Sequence, residues 1–195
     1  MIYLVTNRKL INKKNIYKVI EDAANAGIDA VILREKDLSC EDLYTMAINI
    51  KDILSKKNIP LIINSNIEVA KKVCADALQI SFGDFVNKNV DFQGKVGVSI
   101  HSIEEGIMAQ NLGADYVLAG HIFNTSCKPN LEPKGIEFVH KLSKSINIPI
   151  ICIGGINKYN IKKVYESGAS GVAVMSLIME SEDVFQTIKE LKISI

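Results

Sequence analysis

Two stretches near the end of the chain, Ile148-Pro-Ile-Ile-Cys-Ile-Gly-Gly-Ile156 and Gly168-Ala-Ser-Gly-Val-Ala-Val-Met-Ser176, decide how the sequence is read. Each holds a short apolar run, Pro149-Ile-Ile-Cys-Ile and Gly171-Val-Ala-Val, of the length and character of a buried strand. Between them Asn157 to Ser167 is patterned as a helix. Strand, helix and strand in ~20 to 25 residues form the repeating unit of a parallel sheet.

Working outward, the same unit recurs. Strands are expected at Ile2-Tyr-Leu-Val-Thr, Ala30-Val-Ile-Leu-Arg, Pro60-Leu-Ile-Ile-Asn, Asp76-Ala-Leu-Gln-Ile, Lys95-Val-Gly-Val-Ser and from Asp115 to Gly120. Helical spacing runs from Lys14 to Ala26, with Ile16, Val19, Ile20, Ala23 and Ala24 on one stripe and Gly27 as the stop. Ser39 caps a second helix carrying Leu43, Ala47, Ile50 and Leu54. A short helix passes through Val69, Ala70 and Val73, and another starts at Ser102 with an acidic first turn and closes at Gly113. Gly135 to Ser145 and Glu182 to Leu191 complete the set. Periodicity fails between Phe82 and Gly94, which predicts a loop there. Eight units favour a closed (β/α)8 TIM barrel over an open doubly wound sheet, and short connections let 195 residues close it as one domain, residues 1–195.

Composition narrows the function. With 23 basic against 22 acidic side chains, a net charge of +1 and no basic tract, a nucleic-acid partner is not expected. No apolar run approaches the ~18 residues of a membrane span, and Met1-Ile-Tyr-Leu-Val lacks a signal-peptide leader, so a soluble cytoplasmic protein is expected. Cys40, Cys74, Cys127 and Cys152 show no metal-finger spacing and read as free thiols.

Active sites of such barrels lie at the C-terminal strand ends. There the chain places Thr6, Arg34-Glu-Lys36, Asn64, Gln79, Ser99 with His101, His121 with Thr125 and Lys128, Gly154-Gly155, and Met175-Ser176. The paired loops at Gly154-Gly155 and Met175-Ser176 suit a phosphate, because loops after the last two strands are the usual phosphate site. Arg34 and Lys36 suit a carboxylate or phosphate, unless Glu35 neutralises them. Asn64 and Ser99 either meet the ligand or cap neighbouring backbone. His140 falls in a helix and reads as a surface residue, His101 is either a pocket residue or part of a helix start, and His121 is the acid–base candidate.

Taken together, Leu33-Arg-Glu-Lys-Asp-Leu-Ser39, Ile62-Ile-Asn-Ser, Val96-Gly-Val-Ser99, Ala114 to Lys128, Ile148 to Ile156 and Gly168 to Ser176 resemble the thiamine phosphate synthase and TenI superfamily over nearly the whole chain. The resemblance implies a (β/α)8 barrel. It also implies one of two activities, metal-dependent coupling of a pyrimidine diphosphate to a thiazole phosphate, or tautomerisation of a carboxythiazole phosphate. Departures weigh on that choice. Where synthases carry a glutamine before Arg-Glu-Lys this chain has Ile32, and where they carry a metal-binding aspartate after asparagine it has Ser65. Asp84 could stand in for one ligand only after a shift of register. The strand-six histidine, His121, is similar to that of the TenI-type tautomerases.

The expectation is therefore an isomerase, a thiazole tautomerase without metal or other cofactor, with His121 moving the proton. Gly154, Gly155, Met175 and Ser176 would hold the phosphate, Arg34, Lys36 or Lys128 the carboxylate, and Asn64, Ser99 and Thr125 would line the ring. A magnesium-dependent synthase and a non-catalytic ligand-binding relative stand as the alternatives. A small-molecule thiazole phosphate is the expected partner, and a homodimer is left open.

Overall fold

The computed structural model describes residues 1–88, 90–125 and 131–195. Eight parallel strands close in sequence order: β1 (Ile2–Val5), β2 (Ala30–Leu33), β3 (Leu61–Asn64), β4 (Ala77–Ser81), β5 (Lys95–Ile100), β6 (Tyr116–Gly120), β7 (Ile150–Ile153) and β8 (Gly171–Val174), with β1 pairing β8. Around them run α1 (Ile16–Asn25), α2 (Cys40–Ser55), α3 (Ile67–Lys72), α4 (Phe82–Asn87), α5 (Ile103–Asn111), α6 (Gly135–Ser145), α7 (Ile161–Glu166), α8 (Ser176–Met179) and α9 (Val184–Ile193). The fold is the expected (β/α)8 barrel.

Period-two alternation splits each strand between two cores. Leu4, Leu33, Ile63, Leu78, Val98 and Val117 pack outward with helix residues such as Ile20, Ile50, Leu142 and Ile188. Val5, Ala30, Ile32, Ile62, Ala77, Leu118, Ile151 and Ala173 form a second cluster built from strands alone, the barrel lumen. Burying one such branched side chain contributes about 1.5–3 kcal/mol, so the outer layer carries most of the apolar stabilisation. The lumen is closed below by Tyr116, whose ring occupies the space that a side chain on Gly97 would need and meets Tyr3 edge-on at 6.4 Å.

A repeated clamp stitches the N-terminal end. Asp29 accepts the amide of Ile2 at 2.7 Å, and its own amide donates to the Ile2 carbonyl at 2.9 Å. Asp76 makes the same pair of bonds with Leu61, Asp115 with Val96, and Ser170, more weakly at 3.3 Å through its hydroxyl, with Ile150. Each clamp residue directly precedes an even-numbered strand and holds the odd-numbered strand before it. The odd strands thus begin with their first amides satisfied.

Several boundaries differ from expectation. The loop predicted at 82–94 contains α4, because Ser81 caps it by accepting the Asp84 amide; six residues are too few to show a helical period. The helix predicted over 157–167 begins only at Ile161, since Asn157 and Asn160 fold the preceding residues into a side-chain-bonded turn. The last helix starts at Val184, where Asp183 caps it, and runs to Ile193. Among the described residues no helix is long and apolar enough to cross a membrane.

Candidate active site

A cavity of about 390 Å³ opens at the C-terminal ends of the strands. Arg34, Lys36, Asn64, Ser99, His121, Thr125, Gly154, Gly155, Met175 and Ser176 all line it, whereas Thr6, Glu35 and Gln79, expected at the same strand ends, do not. Lys128 lies outside the described residues. Ser65, Ser81, His101 and Leu177 also line the cavity. Of these, His101 stood as an open choice in the sequence, whereas Ser65, Ser81 and Leu177 follow strand-end residues and could have been found by extending each strand one or two positions. Among the described lining residues there is no aspartate or glutamate.

The β2 rim explains its own charge. Thr6, fully buried, accepts the Arg34 amide at 2.9 Å and fixes where the rim leaves the barrel. Glu35 then turns away from its neighbours: its side chain is 1% exposed and receives the Arg8 amide at 2.9 Å and the Arg8 guanidinium at 2.9 Å. The same guanidinium grips Asp37 through two bonds of 2.8 Å. Bonding to Arg8, then to Lys9, holds the Asp37 carboxyl well below the ordinary carboxylate range. Among the described residues neither Arg34 nor Lys36 has an ion-pair partner, so neutralisation by Glu35 does not occur.

The opposite wall is backbone. Gly154 and Gly155 have φ of +105° and +66°, a region that side chains disfavour. A side chain on Gly154 would strike His121, and one on Gly155 would strike the Asn124 carbonyl. The β6 and β7 loops are joined there, Ile122 donating to the Ile153 carbonyl at 2.9 Å and Phe123 to that of Gly154 at 3.0 Å. Asn160 secures the turn by donating to the Gly155 carbonyl at 2.9 Å. Beside it, Ser176 and Leu177 open α8, and the first amides of a helix have no partner within it. Two amide-rich loops and two cations therefore line the same cavity.

His121, 5% exposed, stands between these walls and is joined to Gly120 by a cis peptide bond. Its Nε2 lies 3.1 Å from the Leu131 carbonyl, which can only accept, so Nε2 carries the proton and Nδ1 is the nitrogen left for other contacts. At the floor Gln79, fully buried, donates to Ser99 Oγ at 3.0 Å, and Asn64 donates to Ser65 Oγ at 2.8 Å. Gln79 Oε1 and the Tyr116 hydroxyl have no hydrogen-bond partner among the described residues. His101 accompanies Glu105 at 3.8 Å, and His140 is exposed on α6 as expected. Cys40 and Cys74 are exposed free thiols; Cys152 is a buried one, and burial pushes it up to about 12.

A family model described as thiamine monophosphate synthase matches residues 2–178. The chain belongs to that family. Among family relatives, the thiamine-phosphate synthase of Clostridium tetani is 40% identical over 194 residues, covering 97% of this chain and 93% of its own. That of Clostridium acetobutylicum is 40% identical over 187 residues, with 94% and 89% covered. Among solved structures, a thiamine phosphate pyrophosphorylase from Pyrococcus furiosus superposes with a TM-score of 0.89 at 30% identity, covering 99% of this chain and 94% of that one.

These relatives correct the functional expectation. Chains this similar over nearly their whole length are named synthases, which are transferases, so the isomerase reading, a thiazole tautomerase, is overturned. The expectation of no cofactor falls with it, since it rested on the tautomerase. Ile32 and Ser65 leave the rim with fewer polar groups, yet Arg34, Lys36, Gly154, Gly155, Met175 and Ser176 still line the cavity, so the loss of those groups does not imply the loss of coupling.

Magnesium keeps several waters and is commonly bound by one or two carboxylates with substrate phosphates. No three metal-binding side chains converge among the described residues, so an all-protein cage is not what this chain offers. Asp84 is the carboxylate nearest in kind. Lys88 at 2.7 Å and the hydroxyl of the lining residue Ser81 at 2.8 Å hold it below its usual value. Asp84 itself does not line the cavity, so a hydrated magnesium there would rest chiefly on water and a substrate diphosphate, with Asp84 the carboxylate beside the lining residue Ser81.

Proposed function

We propose that this chain joins a pyrimidine, carried as its diphosphate, to a thiazole phosphate and releases pyrophosphate. The observation carrying the reading is the presence of two separate anion grips in one cavity without a lining carboxylate among the described residues. Two phosphorylated substrates fill both grips; a carboxythiazole phosphate would fill them as well, through its carboxylate and its phosphate, so the choice between them rests on the relatives. Their synthase names support coupling.

Arg34 and Lys36 take the diphosphate, and the amides at Gly154, Gly155, Met175 and Ser176 take the thiazole phosphate. Asn64, Ser99 and Thr125 border the space between, where the rings meet. The bond to the diphosphate oxygen breaks, the pyrimidine carbon bonds to the thiazole ring, and the electron pair leaves with pyrophosphate. Cations poised where charge gathers on the leaving group lower the barrier, because they need no reorganisation as the bond breaks. Magnesium, when bound near Asp84, would add charge neutralisation to that leaving group. His121 touches substrate through Nδ1 and sets ring position instead of carrying a proton between carbons. The chain acts as one domain, residues 1–195, in the cytoplasm, on small-molecule phosphates; a homodimer would leave this cavity within each copy.

The test is direct. Purified protein given both substrates and magnesium should form thiamine phosphate and pyrophosphate in equal amounts. Absence of product, with both substrates shown to bind, would overturn the assignment.

A further inference from the structure

Four successive residues of alternating charge, Arg34-Glu-Lys-Asp37, make up the diphosphate rim, yet only the cations line the cavity. Both acids are held by Arg8, three residues beyond the end of β1. Its backbone amide reaches Glu35 at 2.9 and 3.2 Å, its Nη1 reaches Glu35 at 2.9 Å, and Nη1 and Nη2 reach the two oxygens of Asp37 at 2.8 Å each. Lys9 adds a second cation to Asp37 at 3.0 Å. A rigid planar fork suits this task where a lysine would not, since it bonds two carboxylates in fixed directions at once.

We propose that Arg8 is a positioning residue: by sequestering Glu35 and Asp37 it keeps Arg34 and Lys36 unneutralised and turned to the cavity, and so sets the affinity for a diphosphate. This rests on the reading above in assigning the β2 rim to the diphosphate. Removal of the guanidinium releases Glu35, whose carboxylate is then left in a nearly water-free position without its charge partner. The acid lowers that cost by turning toward the cations beside it in sequence, Arg34 and Lys36. An anion arriving at the rim must then compete with an internal one.

The experiment uses inorganic pyrophosphate as the probe in calorimetric titrations of the intact chain. Arg8→Gln should weaken binding by about tenfold, the effect of losing one well-placed charge interaction. Neutralising the released acids in the same chain, as Arg8→Gln/Glu35→Gln/Asp37→Asn, should return affinity to within about twofold of wild type. A merely structural role for Arg8 predicts no such rescue, and its absence in a folded triple variant overturns the proposal. So does an Arg8→Gln protein that binds as wild type does. Should Arg8→Gln not fold, Glu35→Gln alone decides: affinity should stay within about twofold, whereas a gain of about fivefold or more would show that Glu35 opposes the anion even with Arg8 in place. Wild-type protein that binds pyrophosphate but forms no thiamine phosphate removes the coupling reaction and leaves the role of Arg8 intact. Failure of wild type to bind pyrophosphate overturns the role of Arg8.

Discussion

The two ends of this barrel are built on opposite plans. At the N-terminal end one device is used four times, Asp29, Asp76, Asp115 and Ser170 each pinning the start of an odd-numbered strand through paired bonds. At the C-terminal end no two strands finish alike: β2 leads into cations, β3 into Asn64-Ser65, β6 into His121 and β7 into Gly154-Gly155. Repetition is what stability asks for, because each strand start presents the same unsatisfied amide. A ligand without symmetry asks for different chemistry at every strand. The same eight units therefore separate strength from function along the barrel axis.

That separation can be broken or sharpened by substitution. The largest effect is expected from Arg34→Gln together with Lys36→Gln, which should lower kcat/KM for the pyrimidine diphosphate by on the order of 10²- to 10⁴-fold, since each charged contact is worth about 1.5–3 kcal/mol. The melting temperature should stay within about 2 °C, because among the described residues neither side chain has an ion-pair partner. A large thermal loss would mean that the rim carries structure as well as ligand. Asp115→Ala should do the reverse. It leaves the Val96 amide without its carboxylate and should remove about 2 kcal/mol, lowering the melting temperature by about 4–8 °C while KM for either substrate is unchanged. A shift in KM would show that strain passes along β5 from one end to the other. The smallest effect is expected at the weakest clamp. Ser170→Asp should bring the 3.3 Å contact into line with the other three and raise stability by about 0.5–1 kcal/mol, read from the denaturant midpoint.

Much of this plan was legible in the residues. Apolar runs such as Pro149-Ile-Ile-Cys-Ile mark strands because both faces of a barrel strand are buried, which removes alternation and leaves an unmistakable block. The cavity lining was legible too, since the C-terminal strand ends are fixed once the strands are. Direction was what the sequence concealed. Glu35 looks like the natural partner of Arg34 and Lys36, and only the arrival of Arg8 from another unit shows that it points elsewhere. The clamps were hidden for a different reason: an aspartate before a strand reads as an ordinary turn until the strand it serves, 15 to 27 positions earlier, is brought alongside. The choice between two activities was the least legible, because Ser65 and Ile32 show which side chains are missing and not whether the reaction needs them.

One detail of the far wall bears on how the two substrates meet. The backbone from His121 to Phe123 is laced to Ile153 and Gly154, while the His121 carbonyl receives the Lys134 amide at 2.9 Å and the Ile122 carbonyl that of Gly135 at 2.9 Å. The histidine and the glycine loop are therefore one mechanical piece, braced by the start of α6. A phosphate settling on the glycines, as proposed above, would also settle the imidazole, so that one substrate, by arriving, would trim the room left for the other.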